Sequence, residues 1–241
     1  MSRLENWEPG IVLWTEFGFS ENPKAREQIL ALTVIRVGEE GPVSFSSNQI
    51  AKDLGLAAGS INYHFGSREG LLAEAAILGY KRYTERIWEL VETEKKNAQM
   101  RLRLWIEESI EIQFEMHGWG PILNFPVTIP EVSEIIKEKH SKEFEKLSEL
   151  HLARLFWLVE DFKVGKVRNV PLSYGKVPKK KILTDSKMVY LVASLGWSVL
   201  GMSVWNAGNH LPSKQIGLQS ALIKRMKKYH IDHILSGIKD A

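Results

Sequence analysis

The chain has 241 residues, 44% of them hydrophobic and 25% charged, which suits one large or two small soluble domains with a buried core. Cysteine is absent, which excludes disulfides and thiol chemistry and fits a reducing, cytoplasmic setting. The net charge of +3 is uneven: residues 1–80 hold six Lys/Arg and ten Asp/Glu, net −4, so the remaining 161 residues carry +7, and a strongly basic surface in the first third is argued against.

No strand-like alternation persists and no internal repeat is visible. Helical periodicity dominates, and the expected fold class is all-α. Residues 1–22 read as an irregular arm with aromatic anchors Trp7, Trp14 and Phe17. The start "MSRLENWEPGIVLW" lacks a basic segment followed by an apolar run, so no signal peptide is read. Pro23 suits the first turn of a helix through Ile29, Leu30, Val34 and Val37, stopped at Gly41-Pro42. Ser46-Ser47-Asn48-Gln49 has the spacing of a capping box, with Phe45 and Ile50 placed as a hydrophobic staple. This second helix ends at Gly55, where glycine tolerates positive φ. A third, over about 58–65, is broken by Gly66, and Ser67 caps a long helix from Arg68 to about Lys95. Amphipathic stretches follow at roughly 98–116, 131–164, 186–207 and 213–237. Residues 118–130 form a Gly/Pro-broken connection, and 168–184, with Lys179-Lys180-Lys181, a solvated loop.

The stretch "GLAAGSINYHFGSREGLL", Gly55 to Leu72, is too bare at its start for a helix that only fills a core. Ala51, Gly55, Leu56 and Ile61 have the spacing of a helix-turn-helix, and Ile50, Leu54, Leu56, Ile61 and Phe65 can form its small core. In that motif the first helix braces across the DNA backbone and the second lies in the major groove. Small residues such as Ala57, Ala58 and Ser60 let the backbone approach and can touch thymine methyls or base edges. Ala57 cannot cap, which leaves the amides that follow it for a phosphate. Short helix–Gly–helix units also occur without DNA, so spacing alone does not decide.

Over Arg26 to about Ala75, the sequence resembles the TetR family of transcriptional regulators. The residues that carry this are "REQIL…GEEG…SNQIAKDLGLAAGSINYHFGSREGLLAEA", and above all Tyr63-His64-Phe65-x-Ser67-Arg68-x-x-Leu71-Leu72. The resemblance implies an N-terminal three-helix DNA-binding domain at 23–72 and a larger helical effector-binding and dimerisation domain at 73–241. It also implies ligand-controlled release from a near-palindromic operator. By resemblance, Ser46 and Ser47, with Asn48 beside them, fall where phosphate is touched, Gly59 and Ser60 on the base-facing turn, and Tyr63 and His64 where a ring reaches the backbone. Arg68 replaces the usual Lys at a phosphate-contacting helix start. Two positions depart from the pattern: Ala57 stands where Ser is common and Asn62 where Tyr is common. Asn can pair bidentately with adenine, so Asn62 is a candidate base reader. Lys24, Arg26, Lys52 and Arg68 are expected to cluster on one side and offset the acidic balance, helped by neutral amides and hydroxyls.

The second half is rich in large rings, most of them core. Gly and Pro break a helix beside aromatic side chains in "QFEMHGWGPILNF", 113–125, as at a pocket rim. Trp105, Phe114, His117 and Trp119 are the effector-site candidates, for an apolar or aromatic molecule with a polar group met by His117 or Glu108. Residues 188–205 carry no charge, but Tyr190 and Ser194, Ser198 and Ser203 favour a buried interface over a membrane span. The stretches 186–207 and 213–237 are the expected homodimer interface. Ala193, Ser194, Gly196, Ser198 and Gly201 allow close approach, and Leu218, Leu222, Met226 and Tyr229 share one face. His230-x-Asp232-His233 is read as a solvated helix end rather than a metal site. No nucleophile elbow, P-loop, dinucleotide fingerprint or His-Glu-x-x-His is present, so neither an enzyme nor a cofactor is expected. The leading reading is a homodimeric, ligand-responsive repressor of an operator in double-stranded DNA. The alternative is a helical adaptor or small-molecule-binding protein of the same fold without DNA binding.

Overall fold

Two buried rings anchor the beginning of the described chain. The computed structural model describes residues 14–15, 17–115, 129–168, 185–207 and 219–240. Trp14 and Phe17 are buried, and turn bonds onto the Trp14 carbonyl from the amides of Phe17 and Phe19, both 3.1 Å, hold them. Trp7 lies outside the described residues. Pro23 stands just before the first helix, α1 (Ala25–Glu40). The Lys24 amide donates to Glu27 Oε2 at 2.8 Å, which satisfies one of the orphan donors of the helix start. Ile29, Leu32, Val34 and Val37 are buried, and buried Thr33 donates its hydroxyl to the Ile29 carbonyl at 2.7 Å. Gly41 ends the helix at φ 80°.

Two short helices follow, α2 (Ser47–Asp53) and α3 (Ser60–Phe65), with α2 packed on both α1 and α3. The long α4 (Arg68–Thr93) comes next, then α5 (Ala98–Glu115). Side chains start both: Ser67 Oγ accepts from the Gly70 amide at 3.0 Å, and Asn97 Oδ1 from the Met100 amide at 3.0 Å. The expected stretch 131–164 is two helices, α6 (Pro130–Lys139) and α7 (Ser141–Val164), parted at His140, whose φ −126° and ψ 12° leave the helical region. No Gly or Pro marks that break, so the apolar periodicity runs across it unannounced. The last two are α8 (Ser186–Ala207) and α9 (Gln219–Asp240). Among the described residues every regular element is helical, and no helix is long and apolar enough to cross a membrane.

The chain divides into two compact units. The first comprises residues 1–82 and 117–140, and the second 83–116 and 141–241. The boundary falls inside α4, whose buried residues Leu71, Leu72 and Ala75 belong to the first unit and Ile87, Trp88 and Val91 to the second. In the second unit α5 packs on α7, α8 and α9, while α7 also packs on α8 and α9.

Candidate nucleic-acid interface

The helix-turn-helix is built by its stop signals. Ser46 Oγ accepts from the Gln49 amide at 3.4 Å, as the capping spacing predicts. The reciprocal half differs: the Gln49 side chain turns forward and donates to Asp53 Oδ1 at 2.6 Å. Arg36 of α1 explains this, because its guanidinium bonds the other oxygen of Asp53 at 2.6 Å and fixes that carboxylate within reach of Gln49. Helix α2 ends in a Schellman motif: the Leu56 amide donates to the Ala51 carbonyl at 2.8 Å and the Gly55 amide to the Lys52 carbonyl at 3.0 Å. Gly55 takes φ 65°, which a side chain there would strain.

Helix α3 has two faces. Ile61 and Phe65 are buried beneath it. Above them Ala57, Ala58, Gly59, Asn62 and Tyr63 are exposed, and Ser60 and His64 are half-buried. Tyr63 is 84% exposed, although an aromatic ring of its size would gain from burial, and its edge meets the His64 ring at 4.9 Å between centroids. On α2 and its cap, Ser46, Asn48 and Lys52 are exposed and Ser47 is half-buried. An exposed row of small residues, amides and one ring, backed by two buried apolar anchors, is a helix face that its own core leaves open.

Three arginines of the first unit have partners within their own chain. Arg26 pairs with Glu74, and its guanidinium lies over the Phe65 ring, 4.9 Å from the centroid. Arg36 holds Glu40 as well as Asp53. Arg68 Nη2 donates to the carbonyls of Pro42 at 2.5 Å, Phe45 at 3.3 Å and Val43 at 3.4 Å, with the guanidinium 5.5 Å from the Phe45 ring centroid. The bonds of Arg68 tie the start of α4 to the loop that leads into α2. Lys52 is exposed and forms no ion pair among the described residues.

Sequence reasoning passed over Gly70. A Cβ there would stand 2.2 Å from the Phe65 carbonyl oxygen. The chain therefore folds back on itself between α3 and α4 more closely than any side chain permits. The available signal was a glycine three residues beyond the cap Ser67, inside an otherwise apolar helical pattern.

The effector-site candidates fall unevenly. Trp105 is 1% exposed on α5. Glu108 accepts from Arg86 Nε at 2.6 Å. The Phe114 side chain, His117 and Trp119 lie outside the described residues. Near Trp105 stands a residue that sequence reasoning did not single out, His151 of α7. Its Nδ1 accepts from Trp88 Nε1 at 3.1 Å, and burial, with the Arg154 charge adding, lowers its pKa to about 4. On α9, Asp232 accepts from both terminal nitrogens of Arg103 at 3.2 Å, and His233 stacks on Tyr229. Among the described residues no group of three potential metal ligands gathers.

A three-helix unit with an exposed second helix after the turn has the helix-turn-helix arrangement. Residues 29–75 match the family model described as bacterial regulatory proteins, tetR family. Among solved structures the chain is similar to the ketosteroid transcriptional regulator KstR2 of Mycobacterium tuberculosis. The TM-score is 0.57 and the identity 13%, over 89% of this chain and 94% of that one, a likeness of fold. A comparison with curated proteins gave no match. Over residues 29–75 the chain is thus similar to the N-terminal helix-turn-helix segment of that family, and over most of its length its fold is like that of one such regulator.

Proposed function

We propose that the chain is a homodimeric repressor that binds a near-palindromic operator and is released by a small apolar or aromatic effector. The exposed face of α3 carries this reading. Ala57, Ala58, Gly59 and Ser60 would let the backbone approach, Asn62 would read a base, and Tyr63 and His64 would lie along the backbone. Ser46, Ser47, Asn48 and Lys52 would meet phosphate from α2. The guanidinium of Arg68 is held by three carbonyls, so its proposed part is to position α2. A stripe on α8 supports the dimer: Tyr190, Ser194, Trp197 and Gly201 recur at helical spacing and are exposed, while Met188, Val192 and Leu195 are buried. Half-sites about one DNA turn apart require a fixed separation of the two α3 helices. An effector bound in the second unit would shift α4 and change that separation, provided it binds the two spacings with different affinity.

The adaptor reading has one observation in its favour, the internal pairing of Arg26 and Arg36. Sequencing genomic fragments retained by the purified protein decides between the two. The repressor reading expects one enriched, two-fold related sequence, lost in Asn62→Ala and Tyr63→Ala. Retention of no sequence above background would leave the adaptor.

A further inference from the structure

The core of the second unit contains a polar seam. Arg101, Trp105 and Ser109 lie at four-residue steps on one face of α5, and all three are buried. Four residues apart on a helix means one above the other, so the stripe is continuous. It meets α7, where Arg101 Nη1 faces Asp161 Oδ2 at 3.9 Å and the Trp105 ring lies 6.0 Å from that of His151. Trp88 and Tyr83 of α4 complete a cage around His151, with ring centroids 5.6 and 6.2 Å away.

One donor of the cage is left over. An indole nitrogen only donates. The Trp88 N–H takes Nδ1 of His151, and since that ring is neutral, its proton sits on Nε2 and its second nitrogen is also a donor. The Trp105 indole N–H is buried and has no hydrogen-bond partner among the described residues. A buried donor left unsatisfied is costly, and native cores rarely keep one without a use. The seam's charges are already matched: Asp161 holds Arg101 and also accepts from the Arg168 amide at 3.2 Å. The Arg154 guanidinium lies outside the cage, 5.8 Å from the Trp88 ring centroid, and the ring-lined interior offers a ligand no carboxylate among the described residues.

We propose that Trp105 anchors the effector, an uncharged, planar apolar molecule bearing one acceptor, a carbonyl or ether oxygen, which receives the indole N–H. This rests on the reading that the second unit binds an effector, and it moves the polar anchor from His117 or Glu108 to Trp105 itself. The four rings are each less than a tenth exposed, so the ligand must part them to enter, and binding is coupled to a rearrangement of α4 against α5 and α7.

The test is equilibrium dialysis of the full chain against 4-acetylbiphenyl, biphenyl and biphenyl-4-carboxylate, three molecules on one ring skeleton. The ketone should bind about tenfold more tightly than biphenyl, the size of one hydrogen bond, and the carboxylate no better than biphenyl. W105F keeps a ring and removes the donor. It should abolish the ketone preference, so that ketone and hydrocarbon bind alike whatever the change in biphenyl affinity. Equal binding of ketone and hydrocarbon, a preference that survives in W105F, a preferred carboxylate, or no saturable ketone binding would each overturn the proposal. Should W105F not fold, indole N–H resonances of the 15N-labelled chain decide. One should move downfield with the ketone and not with biphenyl; no such shift overturns the site. Retention of genomic DNA by the same preparation without probe reports the regulator reading separately. DNA retained without a ketone preference sinks the site alone, and ketone bound without DNA sinks the regulator alone.

Discussion

Arg68, expected at a phosphate-contacting helix start, binds its own chain through Nη2. The loop before α2 exposes three carbonyls that no helix satisfies, and one guanidinium gathers them. Hydrogen bonds from a charged donor at a half-exposed site make Arg68→Ala destabilising by about 1–2 kcal/mol, read as the urea midpoint. DNA affinity should fall while the slope of log K against log salt stays unchanged. A residue that neutralises a phosphate would lower that slope by about 1 on removal, so a changed slope would return Arg68 to the backbone contacts. His151 makes a second prediction. Its pKa, about 4 when folded, lies below the ordinary histidine value of 6.5, so the unfolded chain binds more protons between the two. The stability it contributes is complete above pH 6.5 and is lost as pH falls towards 4, up to about 3 kcal/mol. His151→Gln should flatten unfolding free energy against pH over that window relative to the wild type. An identical pH slope in both proteins would mean that His151 titrates normally.

At the scale of the element, α3 is positioned by what precedes and follows it. Gly55 and Gly66 both take positive φ, 65° and 76°, and Gly70 lets the first turn of α4 lie against the last carbonyl of α3. The two kinds of glycine predict different outcomes. At Gly55 no atom lies within 4 Å of an added Cβ, so Gly55→Ala carries only backbone strain, about 1 kcal/mol. At Gly70 the Cβ meets backbone at 2.2 Å, so α3 must move. Gly70→Ala should cost more stability than Gly55→Ala by calorimetry and should weaken DNA binding beyond its stability loss. Equal effects would mean that the turn relaxes freely. The boundaries of these short helices were legible in the sequence because Ser46, Gly55, Gly66 and Ser67 are local stop and start signals. The division of 131–164 at His140 was not, since no breaker residue stands there.

For the whole molecule, charge and exposed apolar surface set the predictions. With Arg26, Arg36 and Arg68 engaged inside the first unit, DNA affinity should depend shallowly on salt, with a slope of magnitude about 2–4 rather than the about 10 of a heavily basic interface. A steep slope measured by fluorescence anisotropy would contradict this. The exposed α8 stripe predicts that Trp197→Glu converts a dimer to a monomer in sedimentation, and that the wild-type melting temperature rises with protein concentration while that of the variant does not. A wild-type monomer would remove the dimer from the reading.

The sequence by itself determined the all-helical class, the helix-turn-helix and its caps, and the contrast between buried Ile61 and Phe65 and the bare residues around them. Those properties are local, set by periodicity, capping and the conformational freedom of glycine over a few residues. Only the tertiary structure decided the fate of the charges and the buried donors. Arg26 meets Glu74, Arg36 meets Asp53, Arg68 meets the 42–45 carbonyls and Trp88 meets His151 across long sequence separations. A guanidinium or an indole N–H has the same composition whether it faces DNA, a ligand or its own chain; what it meets is fixed by packing.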